Sequence, residues 1–233
     1  MVFGAILAGG VGNRMKADKP KQFLPLGDRP ILIRTVEQFL RCEVLDELYI
    51  AVHREWLTYT EELLRNHLPA AAVHVVAGGD DRNDTLFAVV DAIDREFGES
   101  EEHLLVPHDA GRPFATPDMI ERTVTLAARY GAAEVAIAAV DTTVLSQDGN
   151  TITHTPDRQT VYLVQTPQTF RMSELKRAFA SLTDEQKQRL TDGASIITAA
   201  GKPVYLTEGS RFNLKITTPE DLVLARAIAE ISE

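Results

Sequence analysis

The chain has 233 residues, 44% of them hydrophobic and 25% charged, with a formal net charge of −10. That length suits one domain with a large core, and the acidic balance argues against a protein that grips nucleic-acid backbones by neutralising many phosphates. The single cysteine, Cys42, can form no internal disulfide, no apolar run approaches the roughly 20 residues that span a bilayer, and no signal-peptide pattern opens the chain; a cytoplasmic protein with no nucleic-acid or membrane partner is expected.

In chain order, the apolar run 2–8 predicts a strand that ends in three closely spaced glycines, Gly9, Gly10 and Gly12. Glycines let backbone N–H groups turn toward a phosphate with no side chain in the way. A P-loop would need Lys-Ser/Thr where Asn13-Arg14 stands, and a dinucleotide fingerprint would need glycine at Met15, so neither pattern applies. The loop that follows crowds Arg14, Lys16, Lys19 and Lys21 against Asp18 alone. In an acidic chain this predicts a small anionic ligand, with a flap carrying Arg14 and Lys21 that can fold over a triphosphate.

Helical spacing over 30–42, 55–67, 84–97 and 117–130 then alternates with strand-like runs at 47–53, 72–78 and 103–109. Strands joined by crossover helices give an α/β fold with a mostly parallel sheet, helices on both faces, and ligands at the carboxyl ends of the strands. Both the glycine loop and His108-Asp109 fall at such ends. A lone carboxylate just past an apolar strand, as at Asp109, calls for a partner. His108 reads as a packed strand-end residue, and no histidine has zinc-site spacing with another histidine or cysteine.

Near residue 134 the rhythm changes. The stretches 134–146 and 150–156, joined by Gln147-Asp148-Gly149-Asn150, alternate as a hairpin would. This hairpin has too few apolar residues for a core of its own, so it lies on a partner chain or docks on its own domain. Helical stretches, a strand-like run at 203–209 and a final helix over 219–231, with Thr218 placed to cap it, complete the pattern.

The stretch "LAGGVGNRM" followed by "PKQFLPL" resembles the opening of the sugar-phosphate nucleotidylyltransferases, and Pro20-Lys21-Gln22 points to their cytidylyltransferase branch, which acts on methylerythritol 4-phosphate or ribitol 5-phosphate. Further matches follow in order: "GGDDRNDTL" (78–86), "HDAGRPF" (108–114), "DTT" (141–143), "DR" (157–158), "QTPQTF" (165–170), "LTDGAS" (190–195) and "NLKITTPEDL" (213–222). The resemblance implies a Rossmann-like, three-layer nucleotidyltransferase fold of the GT-A-like kind over 1–233, with a protruding β-hairpin arm at about 140–160 that forms a homodimer.

It also implies a reaction: an alditol phosphate attacks the α-phosphorus of CTP, and pyrophosphate leaves, with Mg2+ or another divalent cation as cofactor. A phosphate monoester is already anionic near neutral pH, because its second pKa is about 6, so the site needs positive charge rather than a side-chain nucleophile. By the resemblance, Leu7, Ala8, Gly9, Gly10, Gly12, Arg14 and Lys21 bind the triphosphate end of CTP, while Gly78, Gly79, Asp80, Arg82, Asn83 and Thr85 form its cytosine and ribose wall. Thr85 reads equally as a helix cap in an acidic first turn. Asp109 would serve metal, ribose or acceptor, and Ala110 would line the nucleotide. Arg112, Thr142, Arg158, Thr166, Lys215 and Thr217 match acceptor positions; Arg14, Lys21 and Lys215 are the catalytic cations. Arg112, Thr142 and Thr166 would serve the partner's site. Gly111 departs from the side-chain-bearing residue common in the family at that position. The opening "ILAGG", "GGDDRNDT", the stretch "SLTDEQKQRLTDGAS" and "FNLKITTPEDL" favour ribitol 5-phosphate as acceptor over methylerythritol 4-phosphate. A nucleotide sensor that has lost turnover should lack an α-phosphate cation or the carboxylate, whereas Lys21, Asp109, Arg158 and Lys215 are all present.

Overall fold

The computed structural model of the chain describes residues 1–10 and 18–232. Its strands are β1 (Val2–Ala8), β4 (Glu47–Val52), β5 (His74–Ala77), β6 (Leu104–Asp109), β7 (Ala132–Ala138), β8 (Tyr162–Arg171) and β9 (Tyr205–Glu208), with a small ribbon of β2 (Pro25–Leu26) and β3 (Arg29–Pro30). Among the described residues the main sheet has seven strands in the order β5-β4-β1-β6-β8-β7-β9. Pairing is parallel from β5 through β6 and between β7 and β9; β8 alone runs against its neighbours.

The helices α1 (Ile31–Leu40), α2 (Leu57–His67), α3 (Arg82–Phe97) and α4 (Pro117–Tyr130) fall where spacing predicts them. Their starts follow local chemistry. Asp81 caps α3 by accepting from the Asp84 N–H at 2.7 Å, and Thr116 caps α4 ahead of Pro117 in the first turn. Side chains alternate across β1 because successive residues of a strand face opposite ways. Phe3, Ala5 and Leu7 pack with Leu86, Val89, Val90 and Ile93 of α3, and with α5 (Met172–Ser181) and, beyond the short α6 (Asp184–Gln188), α7 (Gly193–Ala199). Ile6 and Ala8 pack on the other face with Leu32, Ile33, Val36 and Phe39 of α1 and Ile120, Val124 and Ala127 of α4. The result is a three-layer, Rossmann-like nucleotidyltransferase fold.

Residues 134–156 do not form the regular hairpin that their alternation predicts. β7 pairs instead with β8, from Ala132↔Phe170 to Ala138↔Tyr162, with a register shift at Glu134/Val135. The chain between them, 139–161, leaves the sheet as an excursion joined by one antiparallel bridge, Leu145↔His154. Its turn does lie at 147–150. Gly149 takes φ +73°, and the Asp148 carboxylate accepts from the Asn150 and Thr151 N–H groups at 2.9 and 2.8 Å. The pattern hides β8 because four of its six buried residues, Gln165, Thr166, Gln168 and Thr169, are polar, while its apolar Leu163 and Val164 are exposed.

A third apolar cluster sits beside the main core. Leu26 and Ile31 meet Ile216 and the alanines Ala225 and Ala229 of α8 (Pro219–Ser232). Thr218 caps α8 through the Asp221 N–H at 3.3 Å, as expected from its position before Pro219. Among the described residues no helix is long and apolar enough to cross a membrane.

Candidate active site

β1 stands at the point where the strand order reverses, with β4 on one side and β6 on the other. In such sheets the crevice beyond the carboxyl ends of these strands receives ligands. A cleft of about 350 Å³ opens there, floored by Leu7, Ala8, Gly9 and Gly10 after β1 and by Asp109, Ala110 and Gly111 after β6. Gly79, Asp80, Asp81, Arg82 and Thr85, at the start of α3, form a wall; Lys21, Gln22, Lys215 and Thr217 face them.

The glycines permit close packing. A Cβ on Gly9 would stand 2.8 Å from Thr85 Oγ1, and one on Gly78 would stand 2.9 Å from the same atom. Thr85 therefore nests between two backbone turns. It is not the cap of α3, which is Asp81; its hydroxyl donates back to the Asp81 carbonyl at 2.7 Å. The first turn of this 16-residue helix forms part of that wall, and the positive end of its dipole favours an anion there.

Pro20 opens a short turn, Lys21–Phe23, whose residues diverge. Phe23 is anchored between the rings of Trp56 and Tyr59, with centroids 5.1 and 4.9 Å away. Lys21 reaches into the cleft, where Nζ donates to the Ile216 carbonyl at 2.6 Å. A Cβ at Gly111 would lie 3.3 Å from that ammonium, so the missing side chain gives the lysine room.

Asp109 is the electrostatic centre. Lys215 Nζ lies 2.7 Å from Oδ2, Arg82 Nε 3.4 Å from Oδ1, and Arg112 Nε 3.8 Å from Oδ2. Burial alone would push this carboxyl toward its neutral form, but Arg82, Lys215 and Arg112 outweigh burial and hold it well below the usual carboxylate range. Its backbone N–H donates to Thr166 Oγ1 at 3.0 Å. His108 beside it is fully buried, its Nε2 donates to the Arg112 carbonyl at 3.0 Å, and desolvation pulls its pKa down to about 4. It is a neutral packing residue, as the sequence suggests.

The segment bearing Lys215 and Thr217 is tied down along its length. Arg112 Nη1 donates to the Asn213 carbonyl at 2.7 Å, Asn213 Nδ2 to the Thr166 carbonyl at 2.9 Å, and the Ile216 N–H to the Gly111 carbonyl at 2.9 Å. Asp221 accepts from the Thr217 hydroxyl at 2.6 Å and from the Thr217 and Thr218 N–H groups at 2.8 Å. Gln22, Asn213 and Asp221 stand in the matching motifs, but their roles escape a sequence reading because they bond backbone groups of the site.

Most of the expected residues therefore converge. Gly78 and Asn83 lie just behind the wall, Asn83 buried in the first turn of α3. Gly12 and Arg14 fall outside the described residues. Arg112 and Thr166, which the resemblance assigns to a partner's site, touch Asp109 of their own chain: Arg112 follows β6 directly and Thr166 lies on the neighbouring β8, not on the excursion. Thr142 and Arg158 lie on the excursion and are exposed, with Arg158 Nη1 donating to the Val140 carbonyl at 3.2 Å; neither lines the cleft of its own chain.

Among the described residues lining the cleft there is no serine, cysteine or histidine. Lysines, an arginine, a helix start and a glycine turn around one ionised carboxylate suit charge stabilisation at phosphorus rather than a covalent enzyme adduct. Fold and site together define a nucleotidyltransferase. The family model described as IspD: 2-C-methyl-D-erythritol 4-phosphate cytidylyltransferase matches residues 2–231. The chain belongs to that family and is a CTP-using cytidylyltransferase.

Solved structures agree along the whole length. The 4-diphosphocytidyl-2C-methyl-D-erythritol synthase of Anaerococcus prevotii is similar at 26% identity and TM-score 0.81, covering 98% of this chain and 96% of that one. The 2-C-methyl-D-erythritol 4-phosphate cytidylyltransferase of Francisella tularensis is similar at 27% identity and TM-score 0.80, over 97% and 99%. That of Thermus thermophilus is similar at 28% identity and TM-score 0.71, over 97% and 98%.

Proposed function

We propose that the chain transfers CMP from CTP to 2-C-methyl-D-erythritol 4-phosphate, releasing pyrophosphate. The observation that carries this reading is the family match over 2–231, supported by neighbours named for that acceptor. It replaces ribitol 5-phosphate, which the local motifs favour. Two of those motifs, 6–10 and 78–85, border the nucleotide end of the cleft, which both reactions share, and so say little about the acceptor.

In this reading Lys21, Gly9, Gly10 and the start of α3 hold the triphosphate, with Arg14 and Gly12 as further candidates outside the described residues. The acceptor's phosphate is the nucleophile. Lys21 and Lys215 neutralise charge that gathers on the α-phosphate as the new bond forms and pyrophosphate departs. Thr166, Thr217 and Arg112 border the acceptor's end, near Asp109 and Lys215.

A divalent cation fits the donor set in a limited way. Magnesium is commonly held by one or two carboxylates together with substrate phosphates. Asp109 supplies one ionised carboxylate, and no group of three or more His, Cys, Asp or Glu gathers among the described residues. Asp109 would hold the ion jointly with the phosphates, and the ion would add positive charge there.

The excursion 139–161 completes the site in a second copy. Val140, Leu145 and Ile152 are 52%, 54% and 67% exposed, an apolar surface that a partner chain would cover. Arg158 and Thr142 would then reach the partner's acceptor.

A pyrophosphate-release panel tests the reading, crossing CTP and the other nucleoside triphosphates with 2-C-methyl-D-erythritol 4-phosphate and ribitol 5-phosphate. The expected result is turnover with CTP and the methylerythritol phosphate. Preference for ribitol 5-phosphate would overturn the acceptor assignment alone.

A further inference from the structure

Gln22 lies on the cleft wall yet is only 3% exposed. Its amide nitrogen donates to the Ala8 carbonyl at 2.7 Å and to the Gly10 carbonyl at 3.1 Å. One amide group has two N–H donors, so both are used. Both acceptors belong to the glycine turn that follows β1.

In a trans peptide the C=O and N–H point in opposite directions. A carbonyl drawn toward Gln22 therefore turns the N–H of the next residue away from Gln22; for the Ala8 carbonyl that group is the Gly9 N–H. Two adjacent glycines impose little conformational preference of their own, so these peptides need an outside tie to keep one orientation. Gln22 is well placed to supply it, because its neighbour Phe23 is pinned against Trp56 and Tyr59.

We propose that Gln22 is a positioning residue that locks the glycine turn in a phosphate-ready orientation before the nucleotide arrives. It touches no reacting atom; it acts through the backbone of Ala8 and Gly10. The proposal rests on the reading of the cleft as the CTP site.

The test is Gln22→Met, which keeps the side chain's length and volume and removes both donors. CTP binding is followed by calorimetry, and steady-state kinetics use CTP with 2-C-methyl-D-erythritol 4-phosphate. The expected result is a rise of about tenfold in Kd and KM for CTP, the effect of losing two hydrogen bonds. KM for the acceptor and kcat should stay within about threefold of wild type, because the acceptor's contacts are untouched. A space-filling role predicts no change in Kd, and a folding defect predicts a lower kcat with KM for CTP intact; either pattern overturns the assignment. Wild-type protein that binds no CTP would instead sink the nucleotide reading and this proposal with it. If Gln22→Met does not fold, Gln22→Glu turns a carboxylate toward two carbonyls and should weaken CTP further; an unchanged Kd there overturns the assignment too.

Discussion

Lys215 sets its ammonium 2.7 Å from Asp109 Oδ2, joining the end of β6 to a segment much later in the chain. Arg82 and Arg112 share the same carboxylate. Replacing Asp109 by Asn leaves three cations crowded around a neutral group. Turnover should fall by at least about a hundredfold, and stability by about 3 kcal/mol, the cost of breaking a buried charge pair. Pyrophosphate release and urea unfolding measure the two; a variant with normal turnover would remove Asp109 from the site.

The same cations decide the pH profile. Asp109 is held well below the usual carboxylate range, so it stays ionised through the working range and gives no acid limb there. The limb should come from the acceptor's phosphate, whose second pKa is about 6. kcat/KM for the acceptor is expected to rise toward that pH and then level off. An acceptor analogue with a higher second pKa should move the limb upward; a limb that stays fixed would point to a protein group instead.

Lys21 donates to the Ile216 carbonyl at the cleft, poised for a triphosphate. Lys21→Ala should lower kcat by roughly a hundredfold to a thousandfold, the range seen when one transition-state donor is lost. Circular dichroism should show an unchanged fold. Near-normal pyrophosphate release would exclude Lys21 from the chemistry.

Arg158 lies on the excursion and away from its own chain's cleft. If it serves a second copy, Arg158→Ala and Lys21→Ala should each be impaired alone. Mixed and re-equilibrated in equal amounts, they should regain about a quarter of the wild-type activity, since about half of the dimers are hybrids and each hybrid carries one intact site of two. No recovery from hybrids verified by mass spectrometry would count against exchanged arms.

Glu134 accepts from Gln168 Nε2, which also donates to Asp192 at 2.7 Å. Burial first, and the nearby Asp192 second, push the Glu134 carboxyl up from 4.5 to about 7. The folded chain therefore holds this proton more tightly than the unfolded chain. Stability falls as pH rises through that interval, and the cost is complete above it. Glu134→Gln should stabilise the protein by about 1–3 kcal/mol near pH 8 and have little effect near pH 4.5. Thermal unfolding at both values checks this; an equal shift at both would contradict the titration.

The parallel half of the fold is legible because apolar runs at 2–8 and 103–109 and helical spacing at 84–97 obey clear periods. β8 is not, because Gln165, Thr166, Gln168 and Thr169 are buried against hydrogen-bond partners and read as loop. The cleft is legible for a different reason: a glycine turn, Lys21 and Asp109 are residue types that phosphate chemistry uses, and all of them line it. Arg112 and Thr166 show the limit, since residue type does not say that both side chains meet Asp109 of their own chain. Gln22, Asn213 and Asp221 show another, because a residue that shapes a site through carbonyls and N–H groups carries no chemical mark of its own.

The cluster of Leu26, Ile31, Ile216, Ala225 and Ala229 makes α8 an abutment of the cleft. Ile216 sits one residue from Lys215 in that cluster and lends its carbonyl to Lys21. Two cations brought from opposite ends of the chain thus lean on a single greasy keystone. Hollowing it out, as Ile216→Ala would, should unsettle both at once without touching either charge.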